Sequence, residues 1–194
     1  MRKRVAILIS GRGSNMVALI EAAKAPDYPA EIVLVLSNVA DAGGLARARD
    51  AGIATAVVDH KPFGKDREAF DRVVHAVLLQ HRIEIVCLAG FLRVLTPWFV
   101  AQWDGRLINV HPSLLPAFKG LDTHARALAA GATQHGATVH FVVPELDAGP
   151  VIAQESVPVL PGDTEQALAA RVLAVEHRIY PLALRRVAQG DAAG

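Results

Sequence analysis

Apolar positions fall into two alternating patterns along the chain. Runs in which nearly every residue is apolar, and many are β-branched, predict short strands buried on both faces. They are Val5–Ile9, EIVLVLSN from Glu31, TAVVD from Thr55, EIVCLAG from Glu84 and RLINVH from Arg106. Segments with helical spacing separate them. SNMVALIEAAKA is expected to open on Ser14 or Asn15 as its cap, and AGGLARARDAG to close at Gly52. A loop through Pro62 and Gly64 leads to Asp66, the expected cap of REAFDRVVHAVLLQH, and TPWFVAQW carries proline in its first turn.

Such alternation is the sequence form of parallel βαβ units. After His111 the rhythm changes. HGATVHFVV and GPVIAQESVPVL read as longer strands only about seven residues apart, too close for a helical crossover, and so as an antiparallel pair. Asp163 is expected to cap a last helix from Thr164 to about Ala188. The expected fold is a single α/β domain over residues 1–194, a mostly parallel twisted sheet flanked by helices with mixed C-terminal strands.

Composition narrows the picture. A chain of 194 residues suits one domain with a sizeable core, and 52% hydrophobic content excludes disorder. A formal net charge of +1 supplies no global drive towards nucleic acid. No apolar run approaches the roughly 18–20 residues of a membrane span. The basic N-terminus precedes an apolar run shorter than the roughly 7–15 residues of a secretory signal, so Arg2–Arg4 read as a solvated lead-in to the first strand. Arg185 and Arg186 read as a helix face. The single cysteine, Cys87, sits in an apolar run and reads as a buried structural thiol suited to a reducing cytoplasm.

In parallel sheets, ligands bind outside the carboxyl ends of the strands. Four candidate groups fall there: Ser10–Asn15, Ala89–Leu95, Asn109–His111 and the loop Pro144–Pro150. SGRGSN is a glycine turn feeding a helix N-terminus, where free N–H groups attract an anion. It lacks the third glycine of a dinucleotide fingerprint and the Lys of a P-loop, so it fits one phosphate or simply connects strand to helix.

Asn109 and His111 stand two apart on a strand and share a face. An Asn amide can donate to a developing oxyanion, and a His can hand over a proton. Alternatively both are satisfied core residues. Asp147 either caps a turn or orients His111. No activated Ser or Cys accompanies them, and the histidines lack metal-ligand spacing. The residues alone support group transfer through a charged tetrahedral species on a phosphorylated substrate.

NVHPSLLPAFKGLDTH, SGRGSN and VHFVVPELDAGPVI together resemble the folate-dependent glycinamide ribonucleotide formyltransferases of purine synthesis, in order and spacing, from about residue 4 to residue 188. The resemblance implies a Rossmann-like formyltransferase fold with a nucleotide-binding half (1–105) and a catalytic, folate-binding half (106–190). It implies Asn109 as the donor to the formyl oxygen, His111 as the proton donor and Asp147 as its partner. Gly13, Ser14 and Asn15 would hold the ribonucleotide phosphate and Glu176 the ribose hydroxyls. The folate would meet Arg67, Leu92, Arg93, Val94 and Leu95, together with Val143, Pro144, Glu145 and Leu146. The resemblance further implies 10-formyltetrahydrofolate as co-substrate, with no metal and no tightly bound prosthetic group. It also implies a cis Leu115–Pro116 bond, a cytoplasmic monomer or homodimer, and no nucleic-acid or membrane partner.

The competing readings are a 10-formyltetrahydrofolate hydrolase, a methionyl-tRNA formyltransferase, and a nucleotide-binding module without chemistry. The first two are expected to need an extra domain for which this chain has no room. The third leaves Asn109, His111 and Asp147 without a reason. Asp122 departs from the histidine of some relatives, which puts any auxiliary role at that position in question, and Arg12 stands where relatives often carry Asn.

Overall fold

Chain alternation translates into a sheet with helices on both faces. The computed structural model describes residues 1–192. In chain order the elements are β1 (Lys3–Ile9), α1 (Ser14–Ala23), β2 (Ala30–Ser37), α2 (Gly43–Asp50), β3 (Ala54–Val57), α3 (Arg67–Gln80), β4 (Ile85–Leu88), α4 (Pro97–Gln102), β5 (Leu107–His111), α5 (Thr123–Ala129), β6 (Gln134–Phe141), β7 (Val151–Pro158) and α6 (Glu165–Gln189). The seven strands lie in the order β3-β2-β1-β4-β5-β6-β7. Pairing is parallel from β3 to β5. It is antiparallel for β5 with β6 and for β6 with β7.

Side chains of β1 alternate between two cores. Val5, Ile7 and Ile9 join Leu19, Ile20, Val172 and Tyr180 beneath α1 and α6. Ala6 and Leu8 join Phe70, Val74, Phe99 and Trp103 beneath α3 and α4. A strand buried on both faces has no polar positions to offer, which is why these runs read as continuously apolar.

Several local expectations hold. Asp66 accepts from the Ala69 amide as the cap of α3, and Gly52 takes the left-handed conformation just past α2. The Leu115–Pro116 bond is cis. Cys87 is buried, and burial pushes its thiol up to about 12, which keeps it inert.

Others need correction. Neither Ser14 nor Asn15 caps α1: left-handed Gly13 occupies that position with no side-chain cap, so both residues lie within the first helical turn. Thr164, not Asp163, caps α6 by accepting from Ala167 N. Asp163 is taken by Arg171 and by the Leu160 amide, which together hold its carboxyl down at about 2. Arg2 and Arg4 are not a free lead-in. Arg2 donates to the carbonyls of Tyr28, Ala23 and Ala30, and Arg4 to that of His81. Part of the loop before Asp66 winds into a 3-10 turn over Lys61–Phe63, and α5 arises where no helix was expected.

Candidate active site

Strands β1, β4 and β5 end at the same edge of the sheet, and the turns that follow them define a cleft. After β1, Gly13 (φ 74°) turns the chain into α1. A Cβ at Gly13 would lie 3.0 Å from Met16 Cε and 3.2 Å from Gly44 Cα, so the turn needs glycine for space as well as conformation. The first turn of α1 contains no acidic side chain and its leading N–H groups have no side-chain cap. An open cavity of about 320 Å³ lies against them, lined by Gly11–Asn15, Ala89 and Gly90. Free amides and the positive end of a helix make this a place for an anion.

Asn15 extends that cavity inward. It is 8% exposed; its Nδ2 donates to Glu176 Oε1 on α6 at 3.1 Å, while its Oδ1 is buried without a partner. Burial pushes the Glu176 carboxyl up to about 7, with the Asn15 hydrogen bond acting the other way. A buried orphan acceptor beside a buried carboxyl matches hydroxyl groups on a ligand.

Beyond β4, the segment Leu92–Leu95 is held at its ends while Leu92 and Val94 face outward and Leu95 packs against the core. Leu92 is 77% exposed and Val94 64%. The Leu92 amide donates to Ser10 Oγ, Arg93 stacks on the Phe70 ring at 5.2 Å, and the buried Asp71 accepts from both Thr96 N and Thr96 Oγ1. Burial raises the Asp71 carboxyl, opposed by those Thr96 hydrogen bonds and by Arg93.

At the end of β5 the structure brings His111 and Asp147 together, with Asn109 two residues back on the same strand. His111 Nε2 lies 2.9 Å from the Phe118 carbonyl, which can only accept, so that nitrogen carries the proton. His111 Nδ1 faces Asp147 Oδ2 at 3.6 Å, beyond hydrogen-bond length, with both side chains more than nine-tenths buried. Asp147 Oδ2 also accepts from the Gly120 amide at 2.9 Å. Asp147 is left-handed at φ 49°, a conformation Asp tolerates better than most residues, and this turns its carboxylate back over His111. Gly149 permits the loop: a Cβ there would fall 1.7 Å from the Phe141 carbonyl oxygen.

A fourth member escaped the sequence reading. His140 pairs directly with Asn109 across β5 and β6. Its Nδ1 bonds the Phe141 carbonyl at 2.9 Å, leaving Nε2 as the acceptor for Asn109 Nδ2 at 3.5 Å. Burial lowers the His140 imidazole, against the Phe141 hydrogen bond and the Asp147 charge, so the ring stays neutral. The 3.9 Å approach of Nε2 to Asp147 Oδ1 is therefore not an ion pair. His140 fixes the roll of the Asn109 amide. The hairpin register was the missing signal; neither His140 nor its spacing in the chain announces it. Thr138, opposite His111 in the same register, accepts from Leu115 N and donates to the Ser113 carbonyl, bracing the turn behind His111.

A family description reading "Formyl transferase" matches residues 3–184. The chain belongs to the formyl transferase family. Within it, the chain is 49% identical to phosphoribosylglycinamide formyltransferase of Escherichia coli, over 96% of this chain and 87% of that protein. It is 51% identical over 97% of its length to the trifunctional purine biosynthetic protein adenosine-3 of Bos taurus, of which it spans only 19%. Among solved structures, phosphoribosylglycinamide formyltransferase from Brucella melitensis superposes with a TM-score of 0.92 at 55% identity, covering 100% of this chain and 97% of that one.

The residues expected on the folate side divide. Leu92–Leu95 follow the end of β4, and Val143–Leu146 lead from β6 directly into Asp147, whereas Arg67 stands exposed at the first position of α3. The Arg67 guanidinium makes no hydrogen bond or ion pair among the described residues. Among the described residues no group of three or more His, Cys, Asp or Glu is arranged to hold a metal ion, and no helix is long and apolar enough to cross a membrane.

Proposed function

We propose that this chain transfers the formyl group of 10-formyltetrahydrofolate to the amine of glycinamide ribonucleotide. One observation carries the reading: His111 and a buried Asp147 meet at the end of the strand that carries Asn109, at the sheet edge that also bears an uncapped helix N-terminus. The ribonucleotide phosphate would rest on the amides of Gly13, Ser14 and Asn15, with the ribose hydroxyls on Glu176. The folate would lie between Leu92–Leu95 and Val143–Leu146, with Arg67 reaching its distal carboxylates.

The amine nitrogen attacks the formyl carbon, forming a C–N bond and moving the carbonyl electron pair onto oxygen. The Asn109 amide, its orientation set by His140, donates to that oxyanion. Collapse breaks the bond between the formyl carbon and the folate nitrogen, which takes a proton from His111, and the His111 nitrogen so freed takes up the proton that the amine gives up. Of the two His111 nitrogens, Nε2 is committed to Phe118, so Nδ1 is the atom we assign to this transfer. Asp147, 3.6 Å away, stabilises the ring when it is charged. No covalent enzyme intermediate is required, in keeping with the lack of an activated nucleophile.

Offering the purified chain 10-formyltetrahydrofolate with glycinamide ribonucleotide, with water alone, or with charged initiator tRNA separates the candidates. Consumption that depends on the ribonucleotide is the expected result. Equal consumption in water alone would make it a hydrolase, and tRNA-dependent consumption would overturn the small-molecule acceptor. The lone buried Cys87 suits activity in a reducing cytoplasm.

A further inference from the structure

Ser10, the first residue after β1, joins three segments through one side chain and one amide. Its N–H donates to the Gly90 carbonyl at 3.0 Å. Its hydroxyl oxygen accepts from the Leu92 amide at 2.8 Å, and its hydroxyl proton goes to Asn38 Oδ1 at 2.6 Å. Asn38 is only 2% exposed, and its Nδ2 faces His60 Nδ1 at 3.2 Å. With Asn38 held, the Ser10 hydroxyl has one direction for its proton, and a lone pair is left aimed at Leu92.

The residues Ser10 ties together are the two walls of the cleft. Gly11–Asn15 line one side of the anion cavity; Ala89 and Gly90 line the other and lead into Leu92–Leu95. That second wall is also tied at its far end, where Asp71 holds Thr96. Two highly exposed apolar side chains, Leu92 and Val94, on a segment tied at both ends form a preorganised surface. Its distance from the anion turn is set by Ser10.

We propose that Ser10 is a positioning residue: it fixes the spacing between the ribonucleotide turn and the Leu92–Leu95 wall, and thereby the distance between the amine and the formyl carbon. The inference rests on the reading of Leu92–Leu95 as the folate-facing wall. Formyl transfer between two bound substrates is sensitive to such spacing, because reacting atoms must approach to about 3–3.5 Å in alignment.

The test compares Ser10→Ala, Leu92→Ala and the double variant in the full chain, reading KM for each substrate, kcat and melting temperature. Loss of one hydrogen bond to the wall should raise KM for 10-formyltetrahydrofolate by roughly three- to tenfold. KM for glycinamide ribonucleotide should be unchanged. Because Ser10 acts through Leu92, the loss from Ser10→Ala should shrink in the Leu92→Ala background. Ser10→Thr, which retains the hydroxyl, should restore the folate KM. If Ser10→Ala does not fold, Ser10→Cys, with a much weaker acceptor, carries the same readout. A lowered melting temperature with unmoved KM values, equal losses for both substrates, or full additivity would overturn the proposal. An unaltered folate KM in Leu92→Ala would overturn the folate-facing reading and the proposal with it. A raised KM in Leu92→Ala beside a normal one in Ser10→Ala would remove the role of Ser10 alone.

Discussion

Asp147 is the residue whose side chain organises the most around it. Its carboxylate holds the Gly120 amide, faces His111 Nδ1 and lies beside His140. Asp147→Asn keeps the shape and removes the charge, so kcat for formyl transfer should fall on the order of 10²–10⁴-fold with little change in either KM. Near-normal kcat would reduce Asp147 to a turn residue. Glu176 supports a pH prediction. Its folded value of about 7 is raised by burial, so its contribution to stability is present below the ordinary 4.5 and lost as pH rises through about 7. Ribose hydroxyls, by contrast, bind the carboxylate. KM for glycinamide ribonucleotide should therefore fall as pH rises through about 7, and Glu176→Gln should flatten that dependence. An identical trend in the variant would place the titration on the substrate phosphate. Asn109, His111 and Asp147 were legible in the sequence because their residue types and strand-end positions carry chemistry. His140 was not, because its role exists only through its cross-strand partner.

At the scale of elements, α5 packs on α6 and is linked to β6 by His124 Nδ1 and His135 Nε2, 3.1 Å apart. Burial lowers both imidazoles, His135 to about 4, so near neutral pH one ring donates to the other. Values depressed in the folded state mean that this contact contributes above the ordinary 6.5 and is lost as pH falls towards about 4. Amide exchange across Thr123–Ala129, corrected for intrinsic rates, should accelerate between about pH 7 and pH 5. His124→Ala should remove the pH dependence, and unchanged protection in the native chain would refute it. The helix itself was missed because its seven residues fall short of two full turns, and Asp122 at its start, left-handed at φ 55°, provides no side-chain cap. The cap of α6 was misplaced by one residue for a similar reason. Asp163 and Thr164 are both good caps, and the claims of Arg171 and the Leu160 amide on Asp163 decide between them.

Across the whole molecule, Tyr180 locks α6 to the centre of the sheet. Fully buried, it donates to the Leu88 carbonyl at 2.8 Å and approaches that of Ile108 at 3.2 Å, bridging the neighbouring strands β4 and β5. Tyr180→Phe leaves those carbonyls short of a donor in a dry core. It should destabilise the fold by about 1 kcal/mol and lower the melting temperature by about 2–4 °C in calorimetry. A variant as stable as the parent would show that the hydroxyl adds nothing.

The amino-acid sequence by itself determined the parallel βαβ start, the antiparallel finish, the strand that carries Asn109 and His111, and the glycine turn after β1. These follow from period, β-branching and turn chemistry, all of which act over a few neighbouring residues. Only the tertiary structure decided which groups meet. It set Asn15 beside Glu176 across 161 positions and Leu92 on Ser10 across 82, and it set Asn109 opposite His140 through the register of two antiparallel strands. A register shift of one residue would turn those side chains to opposite faces, and nothing local to either strand encodes it. Hydrogen-bond partners distant in sequence are chosen by the packing of the sheet as a whole, and that packing turns separate strand ends into one cleft.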